Sequence, residues 1–552
     1  MKAPSCRWII PSVLLCGSFG AWAAAVAPAI RVNSLGFLPQ QPKQASVAVV
    51  ATNFTLTRQS DGVAVFTAAL SGPRTNTDTG EALFTADFSA FTNTGRFQLE
   101  VPGVGRSAVF QIGGEVYREP FVTVTRAMYL WRCGTAVSGT HQGKHYAQGI
   151  CHTNDAWLDY VGSPGVQSNS TGGWHDAGDY NKYVVNAGVT VGCMFRAWED
   201  FRPAIQKQTL NLPERGGRLP EFLAEIKWEL DWLFTMQAPD GSVYHKVSTP
   251  DFGGFIMPEK ETAKRYFTPW SSAATADFVA MLAAGARHFR EFDAAYAERC
   301  LAAARKSYAF LVAHPENHRA DQTGFSTGAY PTHDADDRLW ATAELWAATG
   351  ETNYLHDFEV RARGRDQGFE VAWDWGNVRN LGLLTYLSAP HAGREPGLVE
   401  TLSASLLATA DDIVKTRAAH GYARPLGQRY SWGGNGTVAR QTLVLHAAHR
   451  LTAKPEYRDT ALDALGYLFG RNPFGRSFVT GVGHQPPLHP HDRRSGADGI
   501  AEPWPGYLVG GPNPKATDWH DVEEDFRTNE IAINWNGALI YALAMFLESP
   551  TQ

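Results

Sequence analysis

The sequence predicts two domains of opposite class, a small all-β sandwich followed by a much larger all-α domain. Three observations carry this. Short β-prone runs separated by turn residues fill the chain up to Gly114, apolar residues recur at helical spacing after Tyr117, and the helical segments are joined by long polar loops rather than strands. The domain boundaries implied are 29–114 and 117–549.

Ahead of both domains, Lys2 and Arg7 precede an apolar run over residues 8–20, and Ala21-Trp22-Ala23 has the small-x-small pattern of a cleavage site. Residues 1–23 read as a signal peptide, which makes the protein secreted or periplasmic. Cys16 lacks the small residue before it that lipidation requires. Cleavage leaves Cys133, Cys151, Cys193 and Cys300, too few for a disulfide scaffold in a chain of 552 residues. No later stretch approaches the roughly 20 apolar residues of a membrane span. A formal charge of −6 without basic segments excludes nucleic acid and anionic lipid as partners. The protein is read as a monomer.

In the first domain the strand-like runs are residues 45–50, 54–57, 64–66, 84–88, 97–101 and 108–112, at sandwich spacing. None carries paired acids or histidine clusters, so this is a structural module. In the second, helices are predicted at 221–237, 273–289, 295–312, 337–348, 398–417, 438–451, 456–469 and 529–547. Helices without strands imply a bundle, toroid or solenoid. The longest loop, 472–513, is of a length usually kept for function.

Chemistry concentrates in Gly172-Gly-Trp174-His175-Asp176-Ala-Gly-Asp179-Tyr180. Asp176 and Asp179, three apart on a turn, can point the same way. Carboxylates so placed either hold a cation or separate into groups of unlike basicity, as water activation by a general base requires. An Asp-Gly turn before a helix near Lys182 explains the same letters. Trp174 and Tyr180 add flat apolar faces of the kind a sugar cleft offers. Cys133, Cys151, His152 and His175 supply two thiolates and two imidazoles, a closed tetrahedral zinc set, although a Cys133–Cys151 disulfide accounts equally for the cysteines. Near the C-terminus, Glu530 opens the predicted helix at 529–547, either as a first-turn cap with Asn529 or, walled by Trp535, as a general acid of raised pKa.

Asp176-Ala-Gly-Asp179, Ser477-Phe-Val-Thr-Gly-Val-Gly483 with His491-x-Arg493, and Trp519-x-Asp521 through Glu530 to Asn536 together resemble glycoside hydrolase family 9, the inverting cellulases. The resemblance runs from the sandwich to the last helix. It implies an immunoglobulin-like sandwich, an (α/α)6 barrel and hydrolysis of β-1,4-glucan. By position it makes Asp179 the general base, Asp176 its partner on the attacking water, Glu530 the general acid, His491 and Arg493 a sugar-binding pair, and Asp521 the acid that supports the site. It also favours structural zinc at Cys133, Cys151, His152 and His175, and loosely suggests calcium at Asp336, Asp337 and Asp374, which helix capping also explains. Trp432 and Trp535 join Trp174 and Tyr180 as candidate stacking residues; Trp270, Trp373 and Tyr430 are further aromatics near the expected cleft. Gln485, Trp535 and Gly537 depart from the family pattern, which bears on fine selectivity. An inverting enzyme needs its two carboxyls about 6.5–9.5 Å apart to admit water. The rival readings are an exo-acting relative that trims cellobiose or glucosamine from chain ends and a catalytically silent carbohydrate-binding protein; retention of Asp176, Asp179 and Glu530 argues against the second.

Overall fold

The computed structural model describes residues 26–364 and 368–547. The signal peptide expected over residues 1–23 lies outside the described residues. Near the N-terminus, one sheet orders Ile30–Arg31, Gln44–Val47, Ala82–Asp87 and Ser71–Thr75. The other orders Gly36–Phe37, Phe110–Ile112, Gly95–Val101, Asn53–Arg58 and Ala64–Ala69, with Gly105–Arg106 beside Gly95–Val101. Alternation makes the core: Phe97, Leu99 and Val101 point inward while Gln98 and Glu100 stay more exposed. Phe88 sits at the centre, its ring 5.1 Å from Phe37 and 5.5 Å from Phe110. Ser71–Thr75, which the sequence reading missed, is an edge strand with every residue exposed, so it has no hydrophobic pattern to detect.

The second domain contains helices α1 (Arg118–Leu130), α2 (Val184–Gln206), α3 (Glu221–Met236), α4 (Ser272–Phe289), α5 (Ala294–Ala313), α6 (Ala335–Thr349), α7 (Thr352–Ala362), α8 (Arg379–Ser388), α9 (Pro396–Ala419), α10 (Gly434–Thr452), α11 (Pro455–Leu468), the short α12 (Phe526–Asn529) and α13 (Ile533–Ala544). Helices α10, α13, α2, α4, α6 and α8 pack successively against one another and are largely buried, while α3, α5, α7, α9 and α11 keep an exposed face. The inner helices approach closely. A Cβ on Gly192 of α2 would lie 2.5 Å from Leu381 and 3.0 Å from Trp340.

Two expectations need correction. The chain after Tyr117 is not purely helical: Val137–His141 pairs with Lys144–Gln148, and Lys182–Tyr183, Lys246–Ser248 and Tyr266–Phe267 form a three-stranded sheet. Glu530 does not open a helix. It follows α12 in extended conformation, and α13 starts only at Ile533.

The turn between Ser71–Thr75 and Ala82–Asp87 inserts into the helical domain. Buried Asp78 accepts from His420 Nε2 at 2.9 Å and from the Tyr430 hydroxyl at 2.6 Å, and Asn76 accepts from the Gly421 amide at 3.2 Å. Burial would raise the Asp78 carboxyl, and the hydrogen bonds from His420 and Tyr430 more than reverse it. Arg471 binds Ser46 across the same interface. Asp78→Ala therefore strands two buried donors and should cost about 1–3 kcal/mol. Thermal unfolding followed by calorimetry checks this; an unchanged melting temperature contradicts it.

Candidate active site

The Gly172–Tyr180 stretch leads into strand Lys182–Tyr183, whose pairing with Lys246–Ser248 fixes where the stretch sits. Its backbone is sewn to two distant segments. The Arg493 amide donates to the Gly178 carbonyl at 3.1 Å, the Ile533 amide to the Asp176 carbonyl at 2.9 Å, and the His491 amide to the Asn529 carbonyl at 2.9 Å. Position 178 must be glycine for this: a Cβ there would fall 2.2 Å from the His491 carbonyl oxygen. Asp176, Asp179 and Glu530 thereby line one cleft of about 360 Å³ with Tyr183, Tyr330, Trp375 and Trp535.

The three carboxyls differ in their surroundings. Asp176 is 1% exposed and accepts from Asn186 Nδ2 at 2.8 Å and the Tyr330 hydroxyl at 2.6 Å. Burial, with the charge of Asp179 adding to it, pushes its pKa up to about 8. Asp179 receives Asn181 Nδ2 at 2.7 Å and the Tyr183 hydroxyl at 3.2 Å, both on Oδ2. Glu530 is raised well above the carboxylate range by desolvation and then by Asp179 and Asp176, with Arg493 and the Trp432 indole opposing. A cleft that holds Glu530 as a protonated acid together with two further carboxyls can donate a proton and take one up in the same event.

Some candidate residues fall elsewhere. Trp174 is buried, its indole donating to Glu225 at 2.8 Å, and the Tyr180 hydroxyl donates to the Ile256 carbonyl, so neither faces the cleft. Each ring fills core because its polar tip has a partner inside. Trp373 is buried, whereas Trp375, two residues on, lines the cleft with its ring 5.0 Å from Tyr330. Trp270 stacks on His318, and Tyr430 serves the domain interface. Trp432, half exposed, stands at the rim 5.5 Å from Phe526, and Trp535 forms cleft wall. Asp521 lies behind the site, accepting the amides of Leu488 and His489 and ion-paired to Arg476 at 2.6 Å, and so holds the segment that leads to His491. His491 Nδ1 meets the Glu523 carbonyl at 2.7 Å; Arg493 Nε donates to the Gly253 carbonyl at 3.0 Å and its guanidinium lies over Phe252 and Phe255. Tyr330, Phe252, Asn534 and Trp375 line the cleft but escaped sequence reading; of these only Trp375 had a cue, the Ala-Trp-Asp-Trp run.

The residues suggested for calcium do not converge. Asp336 accepts the Val378 amide, Asp337 is buried against Asp277 with both carboxyls raised by desolvation, and Asp374 pairs with Arg440 at 2.7 Å in the cleft. Calcium takes six to eight oxygens; Asp336 and Asp374 are each engaged by a protein donor, whereas the Asp337 and Asp277 carboxyl oxygens are buried without a hydrogen-bond partner among the described residues. Cys133, Cys151, His152 and His175 do converge, all buried, with ligand atoms within 4.8 Å of one another. Cys133 Sγ is 3.7 Å from His152 Nδ1 and Cys151 Sγ 3.7 Å from His175 Nε2, and no disulfide joins the cysteines. Tetrahedral bonds of about 2.3 Å to sulfur and 2.0–2.1 Å to nitrogen put such neighbours about 3.6 Å apart, so the set fits a metal.

A helical domain with such a cleft behind an N-terminal sandwich defines a glycoside hydrolase. The chain belongs to glycosyl hydrolase family 9, whose model matches residues 117–543, while that of the cellulase N-terminal ig-like domain matches residues 25–106. Endoglucanase D of Acetivibrio thermocellus is 54% identical over 521 residues, covering 94% of this chain and 83% of that protein. A metagenome-derived family 9 endoglucanase of known structure shares 35% identity at a TM-score of 0.87, over 94% of this chain and 99% of that one. A Zn-binding triple mutant of family 9 endoglucanase J30 shares 33% at a TM-score of 0.86, over 93% and 99% of the two chains. Among the described residues no helix is long and apolar enough to cross a membrane.

Asp176 makes the site costly to fold at high pH. An unfolded aspartate ionises near 4, whereas Asp176 keeps its proton to about 8. Its contribution to stability is full below pH ~4 and is lost as pH rises through about 8. Asp176→Asn should therefore raise the melting temperature more at pH 8 than at pH 5, as paired thermal melts will show; an equal gain at both would contradict the assignment.

Proposed function

We propose that the protein is a secreted, monomeric endo-β-1,4-glucanase that inverts the anomeric configuration, its inner and outer helices forming an (α/α)6 barrel. The observation that carries this is the meeting in one cleft of Asp176, Asp179 and Glu530, with Glu530 held protonated by its surroundings. Substrate supplies the apolar sugar faces that Tyr330, Trp375, Trp432 and Trp535 can stack against and the hydroxyls for the polar groups between them. Water lies between substrate and Asp179. Asn181 and Tyr183 occupy Oδ2, which leaves Oδ1 to take the proton as the oxygen attacks the anomeric carbon, while Asp176, kept neutral below about 8, orients that water without adding charge. From the other face of the ring Glu530 protonates the leaving oxygen. The identity with endoglucanase D supports internal rather than terminal cleavage.

Asp179→Asn should abolish hydrolysis, with partial rescue by azide. Glu530→Gln should spare activated aryl glycosides far more than cellulose, since their leaving groups depart without protonation. Proton NMR of the first product should reveal inverted configuration, and viscosity of soluble cellulose should fall faster than reducing ends appear. Retention, or equal loss on both substrate types, would falsify the assignment.

The metal is read as zinc and structural: two thiolates and two imidazoles close the shell and leave no position for a catalytic water. Zinc would hold the Cys151-His152 turn to the loop that carries Asp176. Cys151→Ser should release zinc and lower thermal stability more than it alters turnover, measured by elemental analysis beside thermal melts.

A further inference from the structure

Between strands Lys246–Ser248 and Tyr266–Phe267 the chain makes a long excursion that touches both the Cys/His cluster and the cleft. At one end it meets the cluster. Glu261, nearly buried, accepts from His152 Nε2 at 3.0 Å, and this bond turns Nδ1 of the same ring toward Cys133. The Ile256 carbonyl takes the hydroxyl of Tyr180, whose ring lies 4.9 Å from His175 and 6.0 Å from His152. Glu259 accepts the amide of Gly149, two residues before Cys151.

At its other end the excursion forms cleft wall. Phe252 lines the cleft, and Phe255 packs edge-on against His491 with ring centroids 5.4 Å apart. The Gly253 carbonyl receives Arg493 Nε at 3.0 Å. The two ends touch each other, since a Cβ on Gly253 would lie 2.4 Å from Glu261 Oε1. The Arg493 guanidinium in turn lies over the rings of Phe252 and Phe255. The contacts therefore form a continuous path from metal ligand to cleft: His152, Glu261, Gly253, Arg493.

We infer that Glu261 is a positioning residue through which the metal centre fixes the 252–261 wall, and with it Arg493, against the bound glucan. The inference rests on the zinc reading above. A metal-bound imidazole is oriented by the acceptor on its second nitrogen, and here that acceptor belongs to the substrate-binding wall itself. Holding His152 on the metal then holds Glu261, and Glu261 holds the position of Gly253. Loss of the metal frees the His152 ring to turn, and the wall loses its anchor while the helices remain. Metal occupancy thus acts on substrate binding rather than on proton transfer, which belongs to Asp179 and Glu530.

The test uses the full chain with zinc bound, a soluble cello-oligosaccharide as substrate, and hydrogen–deuterium exchange over residues 249–261. In Glu261→Ala, zinc affinity measured against a chromophoric chelator should weaken about 10- to 100-fold. With zinc restored to saturation, KM should still rise about 5-fold or more while kcat changes little, and the loop should exchange faster. Glu261→Gln keeps an oxygen to accept from His152 and should recover both properties, which a merely packed side chain would not require. Chelation of the wild type should reproduce the KM increase and the faster exchange, and added zinc should reverse them. Equal KM and exchange in wild type and Glu261→Ala overturn the inference; should that variant fail to fold, the chelation arm decides alone. A wild type that neither holds nor takes up zinc overturns the metal reading and the inference with it. A zinc-bound wild type whose chelation leaves KM and exchange unchanged overturns the inference only.

Discussion

The backbone hydrogen bonds from Arg493 to Gly178 and from Ile533 to Asp176 are the constraint on which this molecule is built. They join three segments that lie far apart in sequence, and they do so with main-chain atoms, whose positions do not depend on rotamers. Three carboxyls crowded into one cleft repel one another and resist burial. Side-chain contacts alone would let them drift apart; a backbone seam does not. The inner helices, the three-stranded sheet and the folded 472–513 segment all serve to bring that seam together.

The same logic explains why charge is placed so unevenly. Some buried charges outside the site are neutralised locally, as in Arg132 with Glu225 and Arg265 with Asp155, though the Asp277 and Asp337 carboxyls are not. In the cleft they are left in conflict, and protons resolve it: Asp176 and Glu530 keep theirs. Stability is thereby exchanged for a poised acid. The sandwich contributes to the frame rather than to the chemistry, for its Asn76–Glu81 turn braces the segment that leads through Tyr430 to Trp432 at the cleft rim.

What the sequence disclosed follows from where each element sits. Helices α3, α4, α5 and α9 were legible because each presents a recognisable apolar period, and their ends fall within a few residues of the spacing-based limits. Helix α2 was legible only as a start near Lys182, since from Val184 to Trp198 every residue is buried and no polar stripe marks its period. Residues 530–532 carry a helical pattern because apolar Ile531 and Ala532 continue that of α13, whereas bridges from Glu530 to His491 and from Ile531 to Val509 hold them extended. The acids were visible as a motif and the aromatics only in part: Trp432 and Trp535 line the cleft as expected, but Trp174 and Trp375 look alike in sequence, and only the direction of the backbone puts one in the core and the other in the cleft. The placement of Tyr330, Asn534 and Phe252 on one cleft has no local signature at all.

The narrow spacing of the inner helices has a consequence for how such a protein can diversify. Gly192 abuts Leu381 and Trp340, and a Cβ at Gly537 would come within 3.0 Å of the Thr190 backbone, so there is no spare volume in the helical interior for an added methyl group. Drift in that interior is confined to exchanges that conserve size. New substrate preferences must then arise on the rim, at side chains such as Phe252 and Trp432 that face solvent. Reaction chemistry and ligand preference are in this way kept on separate evolutionary clocks within one chain.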